Sequence, residues 1–269
     1  MRISIGHVSR YTYESPATYS IQTLRLTPPS FAGQRVLEWS ISAPGIETAT
    51  QFRDGFGNAA HLVTFVGSHS ESLIIARGVV ATEDKAGVVS GLVESAPLRT
   101  YLRQTPKTLA GERVRALTAS VAAIQGIERY HRLMALVSEA VEYTIGATST
   151  HTSAEEALAI GRGVCQDHAH VFIAAARALG APARYVNGYF VADTDGPAEA
   201  HHAWAEVWVE DLGWAGFDPA NGICPTDHYV RLATGLDAVS SAPIRGTRRG
   251  GTGEALDVIV DVQQANSQQ

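Results

Sequence analysis

The sequence contains only two cysteines among its 269 residues, Cys165 and Cys224. Two cysteines are too few for the disulfide framework that stabilises many small secreted domains. The N-terminal segment also lacks the apolar run and the small-residue cleavage site of a signal peptide. We therefore expect a cytoplasmic protein with two free thiols, because disulfides are rare in that compartment.

Long apolar runs and a surplus of basic charge are missing as well. No stretch approaches about 18 consecutive apolar residues, so we predict no membrane-spanning helix. The chain has 21 lysines and arginines against 27 aspartates and glutamates, which gives a net charge of −6. A chain with this balance is not expected to bind nucleic acid. Its one basic cluster, Arg245 to Gly251, is rich in glycine, and we interpret it as a solvated loop.

The residues that are present are typical of a globular protein, with 45% hydrophobic and 18% charged residues. Residues 1–88 contain short stretches that alternate between apolar and polar, with turn signals such as Asp54-Gly55 between them. This pattern predicts an N-terminal antiparallel β-sandwich-like domain. Residues 89–265 begin with helical periodicity and end with alternating stretches, which predicts an α+β domain whose helices pack on an antiparallel sheet.

The helices of the second domain carry local start and stop signals. Ser153 and Glu156 have the spacing of a capping box, and Gly161 is placed to end that helix. The next helix is predicted to begin at Cys165 and to end at Gly180. A cysteine in the first turn of a helix lies close to unpaired backbone N–H groups and to the positive end of the helix dipole.

The position of Cys165 allows two interpretations. At a helix N-terminus its thiolate would be stabilised, and the same N–H groups could bind the oxyanion of a tetrahedral intermediate. Gly161 and Gly163 would let a substrate backbone approach closely. Alternatively, Cys165 is a small core residue, because free cysteines are among the most buried residue types. Cys224 lies between turn residues without a comparable setting, and we interpret it as structural.

A nucleophilic cysteine needs a base and a residue that orients the base. His201 and His202 lie at the start of a predicted strand, and Asp218 lies at the end of the next one. Two antiparallel strands joined by a tight turn could bring an imidazole and a carboxylate together. The two histidines point to opposite faces of their strand, so alternation does not choose between them. Glu206, on the His202 face, is interpreted as an ion-pair partner.

Three motifs, "GRGVCQDHAH", "HHAWAEVWVE" and "GFDPANG", occur in this order. Together they resemble the core of the bacterial transglutaminase-like superfamily, which contains papain-like cysteine enzymes. The resemblance is closest over residues 140–222, and the N-terminal half resembles the β-domain that precedes this core. It implies that Cys165 is the nucleophile, that His202 is the base and that Asp218 orients His202. The resemblance, and not strand alternation, selects His202 over His201.

The resemblance further implies acyl transfer from a peptide or glutamine-type amide bond. We favour hydrolysis, as in a cysteine protease or amidase, because the sequence shows no dedicated lysine-binding site. Transglutaminase activity and a non-catalytic binding module on the same fold are the alternatives. No organic cofactor is implied. Contacts with the peptide or protein substrate are predicted for Gly163, Val164, His201 and Trp204.

A zinc site is the competing chemical interpretation of the same residues. Cys165, His168 and the pair His201 and His202 are ligand types that zinc accepts. However, His168 and His170 are two residues apart on a predicted helix and point in different directions. Neither a Cys-x-x-Cys pair nor a His-Glu-x-x-His motif occurs. We therefore predict a catalytic triad and no metal.

Overall fold

The computed structural model describes residues 1–192 and 201–265. Thirteen strands lie in this part of the chain: β1 (Arg2–Leu24), β2 (Gln34–Ser42), β3 (Thr50–Arg53), β4 (Ala59–Thr82), β5 (Val88–Val89), β6 (Glu142–Tyr143), β7 (Arg162–Gly163), β8 (Ala183–Phe190), β9 (His201–Val209), β10 (Gly213–Phe217), β11 (Tyr229–Gly235), β12 (Ile244–Gly250) and β13 (Ala255–Gln264). The α-helices described are α1 (Glu112–Ala119), α2 (Gly126–Ala140), α3 (Ala154–Ile160) and α4 (Cys165–Ala178). Short 3₁₀ helices cover Ile46–Thr48 and Leu98–Leu102.

The first sheet has six antiparallel strands built around the long strands β1 and β4. Its core order is β12-β1-β4-β2, with β13 also paired to β1 and β3 paired to β4. The first half of β1 alternates as the sequence predicted, with Ile3, Ile5, His7 and Ser9 buried and exposed or half-buried residues between them. Successive side chains of a strand point to opposite faces, so these four residues share one face of the sheet.

The two C-terminal strands belong to this first sheet. β12 pairs with the second half of β1, where Leu24 lies opposite Ile244, and β13 pairs with the first half, where Ile3 lies opposite Gln264. The interpretation of residues 245–251 as a solvated loop is therefore wrong for most of that segment. It forms a strand because β1 offers it a backbone partner, while its charged side chains stay exposed at the sheet surface. The domain boundary between residues 88 and 89 stays a prediction.

The second sheet has five antiparallel strands in the order β11-β8-β9-β10-β5. α4 packs against β8 and β9, and small residues such as Ala169, Ala174 and Ala176 are completely buried along it. Small side chains let the helix backbone come close to the sheet. The α+β class and the packing of helices on an antiparallel sheet are confirmed. None of the helices in the described ranges has the length and apolar character that crossing a bilayer requires.

The local signals around α3 and α4 are confirmed. The Ser153 N–H donates to a Glu156 carboxylate oxygen at 2.8 Å, and the Glu156 N–H donates to Ser153 Oγ at 3.4 Å. Gly161 ends α3 in the left-handed conformation with φ 70°. α4 begins at Cys165, and Gly180 follows its end with φ 85°. The nucleophile candidate is therefore the first residue of a buried helix.

The two sheets face each other across a shared apolar core. Ile3 and Ile5 of the first sheet pack with Val230 and Leu232 of β11. Gln34 adds polar contacts, because its amide donates to the Arg231 carbonyl at 2.8 Å and its carbonyl accepts from the Arg231 N–H at 2.7 Å. Beyond this core, the same face of β1 continues towards the beginning of α4.

Candidate active site

Cys165 opens into a cleft between the two sheets. Its side chain is largely covered, with 8% of the residue exposed, and the cleft has a volume of about 680 Å³. The first sheet lines one side through His7 and Ser9 of β1 and through residues of β13, and the second sheet lines the other through β8 and β9. The cleft is therefore built by both halves of the fold.

The turn before Cys165 is held by Asp167. Its carboxylate accepts the Val164 N–H at 2.9 Å and the Thr148 hydroxyl at 2.6 Å. A Cβ on Gly163 would lie 2.7 Å from the Asp167 Cβ, so only glycine leaves room for this arrangement. Of the remaining N–H groups of the first helical turn, those of Asp167 and His168 donate to the Val164 carbonyl at 2.9 Å and 3.2 Å. The N–H groups of Cys165 and Gln166 are therefore the ones that an oxyanion beside the thiol could use.

The β9–β10 hairpin brings His202 and Asp218 together. Phe217 pairs with Ala205 in this hairpin, so Asp218, the next residue, lies beside the beginning of β9. His202 Nε2 lies 2.7 Å from Asp218 Oδ2. Both side chains are buried. The structure thus places His202, and not His201, against the carboxylate.

The neighbours of His202 set its protonation. Burial by itself would lower the pKa of His202, but hydrogen bonds with Asp218 and Cys165, together with the charges of both, raise the pKa to about 10. Because Nε2 faces Asp218, Nδ1 is the ring nitrogen that remains for the thiol. An imidazolium between a carboxylate and a thiol is the arrangement that activates a cysteine nucleophile.

Asp218 is held by more residues than the sequence indicated. Its Oδ2 also accepts the Tyr229 hydroxyl at 2.7 Å and the Asn221 amide at 2.8 Å, and its Oδ1 accepts the Ala220 N–H at 3.0 Å. Burial would raise the pKa of Asp218, but the hydrogen bond and charge of His202 and the hydrogen bonds of Tyr229 and Asn221 lower it. The carboxylate is therefore ionised and fixed in orientation.

Tyr229 and Asn221 were not identified from the sequence. For Asn221 a signal was present, because it follows Asp218 in the turn "DPANG", and side chains in such turns commonly accept or donate local hydrogen bonds. Tyr229 begins β11, a strand that was not predicted from the sequence. Nothing near Tyr229 in the sequence indicates that its hydroxyl reaches Asp218.

His201 lies in the same cleft in different surroundings. Its ring is 5.6 Å from that of His7, and its Nε2 is buried without a hydrogen-bond partner in the described ranges. Burial, with smaller contributions from His7 and His202, lowers the pKa of His201 to about 3. Burial likewise lowers the pKa of His7 to about 4 and that of His170 to about 3. We call His7, His170 and His201 the neutral histidines, because all three are uncharged at pH 7.

The predicted substrate contacts differ in their positions. His201 lines the cleft, whereas Gly163, Val164 and Trp204 are not among the described residues that line it. Gly163 packs against Asp167 as described above. Trp204 is buried in the sheet, with its ring 5.4 Å from the Tyr229 ring. The four contacts stay predictions, and the structure gives Gly163 and Trp204 a packing role.

Glu206 is an ion-pair partner, as predicted. Its carboxylate accepts Arg184 at 2.6 Å and Arg231 at 2.9 Å, and Arg184 also pairs with Glu94 at 3.0 Å. The Arg184 guanidinium stacks on the Trp214 ring at 3.8 Å. Burial would raise the pKa of Glu206, but the two arginines lower it. Glu206 therefore holds the sheet together on the face away from α4.

The described residues contain no cluster of metal-ligating side chains that supports the zinc interpretation. Within residues 1–192 and 201–265, no group of three or more His, Cys, Asp or Glu side chains is arranged to hold a metal ion. The ring nitrogens of His168 lie 2.9 Å from the Val164 carbonyl oxygen and 2.8 Å from the Val141 carbonyl oxygen. His168 therefore stabilises the chain around the start of α4.

Comparisons with known proteins point to one family. The model of the transglutaminase-like superfamily matches residues 112–219, and the model of the bacterial transglutaminase-like N-terminal region matches residues 3–81. An uncharacterized protein of Mycobacterium leprae is 30% identical over 97% of this chain and 98% of its own length. An uncharacterized protein of Mycobacterium tuberculosis is 28% identical over 97% of this chain and 92% of its own length.

One solved structure shares the whole fold. The crystal structure of a "Putative Cysteine Protease" from Cytophaga hutchinsonii is similar to this chain with a TM-score of 0.78 and 22% sequence identity. The similarity covers 100% of this chain and 92% of that one. The arrangement of both sheets and the helices is therefore one that a solved protein also adopts.

Proposed function

Because the chain belongs to the transglutaminase-like superfamily, we propose that it is a thiol enzyme that acts on peptide-type amide bonds through Cys165, His202 and Asp218. The observation that carries the proposal is the position of His202. Its ring lies 2.7 Å from the Asp218 carboxylate, and a hydrogen bond with Cys165, the first residue of α4, is among the causes that raise the His202 pKa. This arrangement supplies a nucleophile, a general acid and base, and an orienting carboxylate.

In the first half of the reaction, the Cys165 thiolate attacks the amide carbonyl carbon. The new C–S bond moves an electron pair onto the carbonyl oxygen, and the N–H groups of the first turn of α4 bind this oxyanion. When the intermediate collapses, the C–N bond breaks and His202 Nδ1 gives its proton to the departing amine. The acyl group remains on the Cys165 sulfur as a thioester.

In the second half, water attacks the thioester while His202 takes one of its protons. The C–S bond breaks, the carboxylic acid leaves, and the thiolate and imidazolium are restored. Asp218 keeps the imidazole in the required tautomer and stabilises the imidazolium.

The composition of the cleft favours water over an amine as the acceptor. Every described residue that lines the cleft is apolar, carries a hydroxyl or amide group, or is histidine or cysteine. Among the described residues, no carboxylate lines the cleft to pair with the ammonium group of a lysine acceptor, so its entry would be unfavourable. We propose hydrolysis of a peptide or protein substrate in the cytoplasm, with the catalytic core beginning after residue 88.

The test compares hydrolysis and amine transfer in one panel. Purified protein is incubated with fluorogenic peptide amides and, in parallel, with casein and dansylcadaverine. We expect amide hydrolysis that Cys165→Ser abolishes and that Cys224→Ser, the matched control, retains. Activity that persists in Cys165→Ser would contradict the nucleophile assignment. Amine incorporation in excess of hydrolysis would identify a transglutaminase instead.

Alkylation separates an enzyme from a binding module on the same fold. Burial raises the pKa of the Cys224 thiol, so Cys224 is expected to react slowly with iodoacetamide at pH 7. Cys165 is expected to react faster, which peptide mass mapping measures. Equal slow labelling of both thiols, together with no turnover in either assay, would indicate a non-catalytic module.

A further inference from the structure

The cleft beside Cys165 has an apolar wall supplied by the first sheet. Leu256, Val258 and Val260 alternate along β13 and all line the cleft. Leu256 is 52% exposed and Val258 is 45% exposed, so much of this row faces open space. Tyr11 of β1, which pairs with Leu256, extends the same wall. We call Leu256, Val258 and Val260 the β13 row.

The opposite wall carries buried polar atoms without hydrogen-bond partners among the described residues. Asn187 is buried, and its Oδ1 has no hydrogen-bond partner among the residues that the structure describes; the same holds for His201 Nε2. Asn187 pairs with Ala203 across β8 and β9, so Asn187 and His201 project from one face of the second sheet. Buried polar atoms are rarely left unpaired, and a ligand that enters the cleft can supply the missing hydrogen bonds.

Away from the imidazolium of His202, the described residues that line the cleft are uncharged. The described lining residues of the cleft are of uncharged types apart from histidines, and two of these, His7 and His201, are neutral histidines. A charged side chain that entered beside the β13 row would lose its hydration without gaining an opposite charge from the described residues around it. The volume of about 680 Å³ suits a short segment rather than a folded domain.

We propose that this cleft binds an extended peptide segment with uncharged side chains next to the bond that Cys165 attacks. Asn187 and His201 hydrogen-bond the backbone of the segment, and the β13 row holds one of its apolar side chains. The proposal rests on the proposed function, because it places the segment beside a reactive Cys165. It makes the first sheet part of substrate selection.

The test uses three thiol-reactive peptides that differ in one side chain. They are N-acetyl dipeptidyl chloromethyl ketones with alanine next to the reactive group and leucine, glutamate or lysine before it. The reactions are run on Cys224→Ser protein, in which Cys165 is the only thiol. The Cys165 sulfur displaces chloride to form a thioether, and intact mass measures the rate. We expect the leucine probe to react about tenfold faster than either charged probe.

Two substitutions on one strand test the wall directly. Val258→Lys places a charge in the β13 row, and Ile259→Lys, the matched control, places it on the opposite face, where Ile259 is 59% exposed. We expect Val258→Lys to slow the reaction of the leucine probe about tenfold. We also expect it to raise the rate of the glutamate probe relative to that of the leucine probe. Ile259→Lys is expected to leave all three rates unchanged. Equal effects of the two substitutions would overturn the assignment of the wall.

A third substitution tests the backbone contact. Asn187→Ala is expected to slow all three peptide probes by a similar factor and to leave the rate with iodoacetamide, which carries no peptide, unchanged. Equal rates of the three probes with the Cys224→Ser protein, together with rapid iodoacetamide labelling of Cys165, would overturn the proposed peptide site but not the proposed function. Slow iodoacetamide labelling of Cys165 would instead contradict the proposed function.

Discussion

Replacing Asp218 by asparagine tests the charge arrangement of the candidate site with little change in shape. The substitution keeps a side chain of the same size but removes the negative charge beside His202. It also replaces one acceptor oxygen by an NH₂ donor where His202, Tyr229, Asn221 and a backbone N–H all donate. Two of the four influences that raise the His202 pKa, a hydrogen bond and a charge, come from Asp218.

The expected magnitude follows from the pKa of His202. At a pKa of about 10, nearly every molecule carries the imidazolium at pH 7. At the ordinary value of 6.5 only about one quarter would, and burial lowers the fraction further. Since the thiolate depends on this proton transfer, labelling of Cys165 at pH 7 is expected to fall at least about fourfold. The kcat for amide hydrolysis is expected to fall about 10²- to 10⁴-fold.

The assay is the iodoacetamide rate of Cys165 between pH 5 and pH 9 in about one-unit steps, measured by mass spectrometry. At pH 7 Asp218→Asn is expected to label more slowly than unsubstituted protein, because the unsubstituted protein carries the His202 imidazolium and the variant largely loses it. Asp257→Asn, an exposed aspartate on β13, is the control. If Asp218→Asn folds and shows the rate and pH profile of the control, Asp218 does not act on His202.

Three further predictions concern the surroundings of the site. Tyr229→Phe removes a hydrogen bond from Asp218 and is expected to cost about 1.5–3 kcal/mol in urea unfolding, with a smaller loss of kcat than Asp218→Asn; no change would exclude this contact. Glu206→Gln leaves Arg231 buried without its carboxylate and Arg184 with Glu94 alone, and it is expected to destabilise the fold by about 3–5 kcal/mol, whereas a loss below about 1 kcal/mol would refute the network. The neutral histidines have folded pKa values below 6.5, so the stability they contribute is present above pH 6.5 and is lost as pH falls towards 4 and 3. At pH 5 each neutral histidine is expected to lower the free energy of unfolding by up to about 2 kcal/mol. His202 does not offset this loss, because its own contribution is already complete below pH 6.5. A Tm that is equal at pH 7 and pH 5 would contradict this prediction.

The parts of the fold that could be predicted are those with local causes. The capping box at Ser153 and the left-handed glycine at Gly161 bound α3 within a few residues of the chain. The end of α4 was predicted for the same kind of reason, from Gly180, which has φ 85°. β12 could not be predicted, because its basic, glycine-rich segment becomes a strand only through pairing with β1, more than two hundred residues away in the chain.

The candidate site also contains residues that could be predicted from the sequence and residues that could not. Cys165, His202 and Asp218 could be proposed from three motifs in order, and the structure places His202 against Asp218. Tyr229 could not, because its role depends on how β11 lies beside the hairpin. Asn187 is a polar residue within an apolar strand, and only the unpartnered atom in the cleft distinguishes it from an ordinary strand residue.

The pairing of β1 with β12 and β13 has a consequence for the order of folding. β1 is synthesised first, and residues such as Ile3 pair with β4 on one side, but they find their partners on the other side, near Gln264, only when almost the whole described chain exists. Closing so long a loop costs conformational entropy, which only the contacts of the finished sheet compensate. This edge is therefore expected to form late. Until then β1 presents an open strand edge, which favours association between unfinished chains. The β13 row therefore reaches the cleft last, after every residue of the Cys165 site has been synthesised.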